Sequence, residues 1–302
     1  MKRPLFRTTC LLSALLVSQV TLSTEIADYE DNAIRKLDKT GLLERIGTLA
    51  SDEFGGRAPM SEGERLTLNY LENQFREMGL EPMFGDSYRQ PVPLVSIEAD
   101  PAMALAISDL EGNVHSYSYG SEVMVFSPQV KDENGLSGSE LVWVGYGIVA
   151  PEYGWNDYEG LDVTGKTVVV LVNDPGYATQ NPELFNGNAM TYYGRWSYKF
   201  EEAARQGASS ALIIHQTAPA AYGWNVVRSS WEGPQFHLAT ENNNMDQLKV
   251  QGWLQYKVAD ELFRMAGLSL ADMSADAAKG PVKPRPMGLL ASINIHNTIK
   301  HA

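Results

Sequence analysis

Residues 140–175, ELVWVGYGIVAPEYGWNDYEGLDVTGKTVVVLVNDP, hold two apolar runs separated by a polar excursion. Leu141–Val144 is apolar and β-branched and stops at Gly145-Tyr146-Gly147, while Thr167–Val172 is an unbroken apolar run, the pattern of a strand covered on both faces. Between them Pro151, Gly154, Asn156, Asp157 and Gly160 supply turn chemistry, and Thr164-Gly165-Lys166 leads tightly into the second run. Gly145-x-Gly147-x-x-Ala150 matches a dinucleotide fingerprint only in its glycines. That fingerprint needs a helix to start there, so that its first amides face a pyrophosphate, and here Pro151 and Gly154 follow at once. The reading is a glycine-rich β-turn.

Outward from this unit the pattern alternates between strands and helices. On the C-terminal side a polar loop runs from Asn173 to Met190, and Trp196, Phe200, Ala203 and Ala204 share one face of a helix ending near Gly207. Ser210–Thr217 reads as a buried strand and 218–235 as a loop rich in Pro, Gly and Trp. A helix is expected through Trp253–Ala266, ended by Gly267, and a shorter one over Ser269–Ala278. Lys279–Pro286, with three prolines, is linker-like, and Met287–Ile299 alternates as a strand. On the N-terminal side, Met103–Ser108 and His115–Tyr119 predict paired strands joined through Glu111-Gly112-Asn113, with Val123–Ser127 next. Residues 88–97 alternate like a strand that Pro91 and Pro93 confine to a sheet edge. Ser61-x-x-Glu64 is a capping-box signature opening a helix with the stripe Leu68, Leu71, Phe75 and Met78, closed at Gly79. Residues 28–50 predict one or two amphipathic helices, with Gly41 as a break.

A length of 302 residues allows one large or two ordinary domains. The formal charge of −13 disfavours nucleic acid and anionic membranes as partners. Residues 1–23 have the layout of a secretory signal: basic Lys2, Arg3 and Arg7, a short apolar stretch Leu11–Val20, and small residues near possible cleavage points. That stretch is shorter than the roughly 20 residues a spanning helix needs, so the chain is expected to be exported and cleaved, to a bacterial periplasm or beyond. Cys10 is the only cysteine, which leaves the mature chain no thiol nucleophile, cysteine–zinc ligation or disulfide.

Several separated segments resemble, in order, the secreted co-catalytic di-zinc aminopeptidases. Leu49-Ala-Ser-Asp-Glu-Phe-Gly-Gly-Arg57, the helix running to Met78-Gly-Leu80, and Tyr88-Arg-Gln-Pro-Val-Pro-Leu94 resemble that family's opening. Val144-Gly-Tyr-Gly-Ile-Val-Ala-Pro151, Gly165-Lys-Thr-Val-Val-Val170, Glu201-Glu-Ala-Ala-Arg-Gln-Gly207 and Ala211-Leu-Ile-Ile214 look like the protease-associated (PA) domain that many members carry as an insert. The resemblance covers nearly all of residues 40–300. It implies a mixed α+β chain: a signal peptide (1–23), the helical prologue and edge strand of a zinc-exopeptidase α/β domain (24–99), a β-rich PA domain with flanking helices (100–286), and a return strand (287–302). It also implies two zinc ions about 3.5–4 Å apart, held by His, Asp and Glu with a further Glu as general base, and a peptide substrate. The family holds those groups downstream of the insert, so no ligand, and no catalytic residue, carries over to a position in this sequence.

The residues themselves supply no substitute site. None of His115, His215, His237, His296 and His301 belongs to an H-E-x-x-H or H-x-D arrangement. His115 reads as solvated and His215 as a hydrogen-bonded core residue. Glu201-Glu202 reads as a solvated face, because neighbours on a helix point about 100° apart. Gly135-Leu-Ser137-Gly-Ser139 fails the nucleophile-elbow pattern at its last position. The aromatics around Tyr192–Trp196, with Trp224, Trp231 and Trp253, suit either core packing or a peptide groove. If the insert borders the active-site mouth, Arg57, Tyr193 and Arg195 are candidate rim residues, the two arginines meeting a substrate carboxylate. The alternatives kept open are a free-standing secreted PA module that binds peptides, and an enzyme with an unrecognised site.

Overall fold

The computed structural model describes residues 34 and 36–301; the expected signal segment and Cys10 lie outside them. The described chain is mixed α/β, and its contacts divide it into two units, before and after Gln90/Pro91.

The first unit contains α1 (Lys39–Leu49), a 3-10 turn (Asp52–Phe54) and α2 (Glu62–Glu77). Gly41 does not break α1. Asp38 caps the helix by accepting from the Thr40 and Gly41 amides at 3.0 and 2.8 Å, which places that glycine in the first turn. Ser61 caps α2 through the Glu64 amide, while Glu64 reaches back to the Met60 amide, one residue earlier than a strict capping box. The helix closes with Leu80 N–H on Phe75 O and Gly79 N–H on Arg76 O, a Schellman pair. No side chain of α1 is buried, and in α2 only Gly63 is. The apolar stripes are largely exposed, Leu42, Ile46 and Met78 by more than half, while Leu71 is half-buried.

The second unit is built on strands β1 (Leu94–Ala99), β2 (Ala104–Asp109), β3 (Val114–Ser118), β4 (Val123–Phe126), β5 (Glu133–Trp143), β6 (Val149–Ala150), β7 (Trp155–Asn156), β8 (Thr167–Leu171), β9 (Ser210–His215), β10 (Gln235–Leu238), β11 (Val250–Gln255) and β12 (Arg285–His301). Its helices are α3 (Pro175–Thr179), α4 (Trp196–Arg205), α5 (Thr217–Ala220), α6 (Trp224–Trp231), α7 (Tyr256–Met265) and α8 (Leu270–Ala277). One sheet has the order β10-β1-β12-β5-β8-β9-β11-β4, with β2 paired to β12 and β3 paired to β2.

The run Thr167–Leu171 is the sheet's axis. It is parallel to β5 on one side (Leu141↔Thr167) and to β9 on the other (Thr167↔Ser210), and all of it is buried. Alternation sends its side chains to two cores. Trp143, Val169, Leu171, Leu212 and Ile214 join α7 and α8 on one face, while Val142, Val168, Val170 and Ile213 join α4 and α6 on the other. Trp143 packs edge-on against Phe263 of α7 at 5.1 Å.

Three segments differ from expectation. Residues 88–97 do not form an edge strand: β1 starts at Leu94, past both prolines, and lies between β10 and β12. The region 218–235 contains α6, whose Val227 and Trp231 are buried, and leads into β10. The helix expected from Trp253 begins only at Tyr256, because Val250–Gln255 is a buried strand between β9 and β4. The closing strand is continuous across both of its neighbours: β12 pairs with β5 and β2, then its last residues pair with β1, Ala99↔Asn297 to Val95↔His301.

Candidate functional site

Parallel strands present their carboxyl ends on one side of a sheet, where the following turns can shape a binding groove. Here those turns are Gly145-Tyr146-Gly147 after β5, Asn173-Asp174 after β8 and Gln216 after β9. Gly145 and Gly147 both have left-handed φ, 56° and 61°, and the turn closes with Gly147 N–H on Val144 O at 2.7 Å. No helix follows, so the glycines serve the bend.

The turns are held by buried polar groups. Asp174 caps α3 by accepting from the Gly176 amide at 3.1 Å, and its other oxygen accepts from the Thr191 amide and hydroxyl at 3.0 and 2.7 Å. Asp157 accepts from the Ile148 and Val282 amides, both at 3.1 Å. Lys199 of α4 reaches from behind and donates its Nζ to Tyr146 O at 2.6 Å. Desolvation pulls the Lys199 pKa down to about 7, while Asp157 and Asp174 act in the opposite direction. Burial raises the Asp157 carboxyl to about 6 against the pull of its hydrogen bonds and Lys199. Because the amine is completely buried, its role is to pin the turn to the helix; no substrate atom reaches it.

In front of this network lies a groove of about 410 Å³ lined by Tyr146, Asn173, Tyr177, Gln216, Pro219 and Ser274. The Ser274 hydroxyl is buried there without a partner. Asn173 is occupied, its amide donating to Pro219 O at 2.8 Å. The groove's lining offers hydrogen-bonding groups.

Of the three expected rim residues, two sit over this network. Gly194, between Tyr193 and Arg195, lies so close to the Asn173-Asp174 turn that an added Cβ would meet Asp174 Oδ2 at 2.9 Å and Asn173 Oδ1 at 3.0 Å. Tyr193 donates its hydroxyl to Glu152 at 2.6 Å, which with burial raises its pKa to about 12, and its ring packs edge-on against Phe185 and Tyr198. Arg195 is exposed at the start of α4. Arg57 is exposed in the first unit, with left-handed φ of 62°. Sequence reasoning missed Lys199, Asp157 and Asp174. It also misplaced Glu202, which is buried rather than solvated, because Tyr198, Arg205 and Gln206 all donate to it.

Among the described residues no three His, Cys, Asp or Glu side chains converge where a metal ion could sit. His215 bonds Tyr222 O at 3.0 Å inside the core, His115 faces Glu261 at 3.6 Å, and His296 faces Glu133 at 3.3 Å, all at separate places. These residues do not fit a zinc pair. No helix among the described residues is long and apolar enough to cross a membrane. No protein-family model matches the chain, and no curated protein matches it.

Proposed function

We propose that this chain is the portion of an exported di-zinc aminopeptidase that precedes its metal-holding residues: residues 24–99 open the peptidase domain, 100–286 form an inserted PA domain, and 287–302 lead back. The pairing of β1 with the last turn of β12 carries this reading. An inserted domain must leave and rejoin its host at neighbouring points. Leu94–Ala99 and the far end of β12 lie side by side, Ala99↔Asn297 to Val95↔His301, although the whole sheet separates them in sequence. The largely exposed stripes of α1 and α2 add support, since a helix apolar on one face is expected to pack that face against another element.

In the whole enzyme, zinc held by residues that follow would supply a water able to release N-terminal residues from peptides, with Tyr193 and Arg195 near the substrate. The portion described is inactive alone. Sequencing the transcript beyond codon 302 tests the proposal. An in-frame continuation with His-x-Asp early in it supports the reading. A stop codon directly after Ala302 contradicts it and favours a free-standing peptide-binding PA module.

A further inference from the structure

A second cavity, of about 680 Å³, opens between α4, α6 and the edge strand β10. Its walls are aromatic. Trp231, 8% exposed, meets Phe126 edge-on at 4.6 Å and lies 5.9 Å from Phe200 and 6.1 Å from Trp196. Trp196, 42% exposed, forms the lip. His237 stacks on Phe126 with ring centroids 6.0 Å apart, and its Nε2 is buried without a partner. Burial moves this imidazole below its ordinary pKa, so it is neutral near pH 7.

The charges lining the cavity are Glu201, Asp246 and Arg205. Arg205 is engaged by Glu202 at 2.8 Å and stands 3.9 Å from Glu201. Glu201 accepts the Tyr192 hydroxyl and Asp246 accepts from the Asn242 amide, both at 2.8 Å, and neither contact adds positive charge. With Glu202 offsetting the arginine, the mouth is net negative and the interior presents ring faces.

We infer that this cavity binds an organic cation, an alkylammonium or guanidinium group seated against Trp196 and Trp231. Aromatic rings attract a cation through their quadrupole, and the mouth carboxylates add Coulombic attraction. An anion would face Glu201 and Asp246. The inference is independent of the peptidase reading. Free amines and lysine or arginine side chains of peptides share this chemistry.

The test is titration of the full chain with benzylamine, with benzyl alcohol as its neutral counterpart, and with a short lysine-centred peptide, followed by calorimetry and tryptophan fluorescence. Benzylamine is expected to bind about tenfold or more tighter than benzyl alcohol, the range a desolvated cation–π contact supports. Trp196→Ala, at an exposed lip position, and the pair Glu201→Gln with Asp246→Asn should each weaken it by about tenfold with the thermal midpoint kept. Tighter binding of the peptide than of benzylamine assigns the cation to a peptide side chain; equal or weaker binding assigns it to a free amine. The inference is overturned by benzyl alcohol binding within about threefold of benzylamine, by no cation binding up to about 10 mM, or by undiminished binding in both variants.

Discussion

Replacing Lys199 by methionine isolates one buried amine whose stability contribution changes with pH in a known direction. Lys199 is completely buried, and loss of water around the ammonium brings its pKa from 10.5 to about 7. Between those values the unfolded chain carries a proton that the native chain lacks, so stability rises as pH rises. Below about pH 7 both states are protonated and the penalty of burying the ammonium is fully present. One pKa unit corresponds to about 1.36 kcal/mol, which makes the full window about 5 kcal/mol and the part from pH 7 to about 9.5 roughly 3 kcal/mol. Stopping there avoids Tyr146, Tyr158 and Tyr198, whose raised pKa values give the opposite slope in more alkaline solution. Lys199→Met keeps the length of the side chain and leaves Tyr146 O without its donor, a loss of about 1–3 kcal/mol that does not vary with pH. Urea unfolding at several pH values should show the wild-type advantage over the variant growing by about 3 kcal/mol from pH 7 to 9.5. A difference that moves by less than about 0.5 kcal/mol would falsify the picture of a desolvated amine pinning the turn.

Three further outcomes are expected. Asp157→Asn should flatten a window of opposite sign: with its pKa raised from 3.8 to about 6, the native state holds an extra proton there, so wild-type stability falls as pH rises through that interval. A wild-type urea midpoint no more pH-dependent than the variant's would contradict this. Gly194→Ala should cost about 1–3 kcal/mol, because the new methyl meets Met190, Asp174 and Asn173 within 3.0 Å; an unchanged melting temperature would show that the Tyr193–Arg195 segment is not held against the Asp174 turn. Ile46→Lys in this polypeptide should shift stability by no more than about 0.5 kcal/mol, since Ile46 is 53% exposed, and a loss of several-fold that size would mean α1 has a packing partner within the chain.

The central architecture was legible because its signals were local. An unbroken apolar run bounded by turn residues gave β8, and the spacing of Trp196, Phe200 and Ala203 gave α4. What failed was local in appearance but decided by tertiary context. The segment Trp224–Trp231 sits between Gly223 and Gly233-Pro234 and reads as loop, although Trp224, Val227 and Trp231 already share a helical face. In β11, Gly252 and two glutamines hide a strand that runs straight into an amphipathic helix, so the helical period was extended too far back. The polar network could not be found from spacing. Lys199 comes from α4 and Asp157 and Asp174 from two separate connections, and each looks like an ordinary surface residue until the sheet brings them together. Gly194, between Tyr193 and Arg195, lets that segment lie against Asp174.

Whether residues 1–302 hold zinc and turn over a peptide bond by themselves is measured on the purified 302-residue protein. After incubation with excess zinc and removal of free metal, elemental analysis and an aminoacyl-anilide assay are run on the same sample. Zinc well below one ion per chain and no turnover above the blank are expected. Two zinc ions per chain with release of the anilide would contradict this.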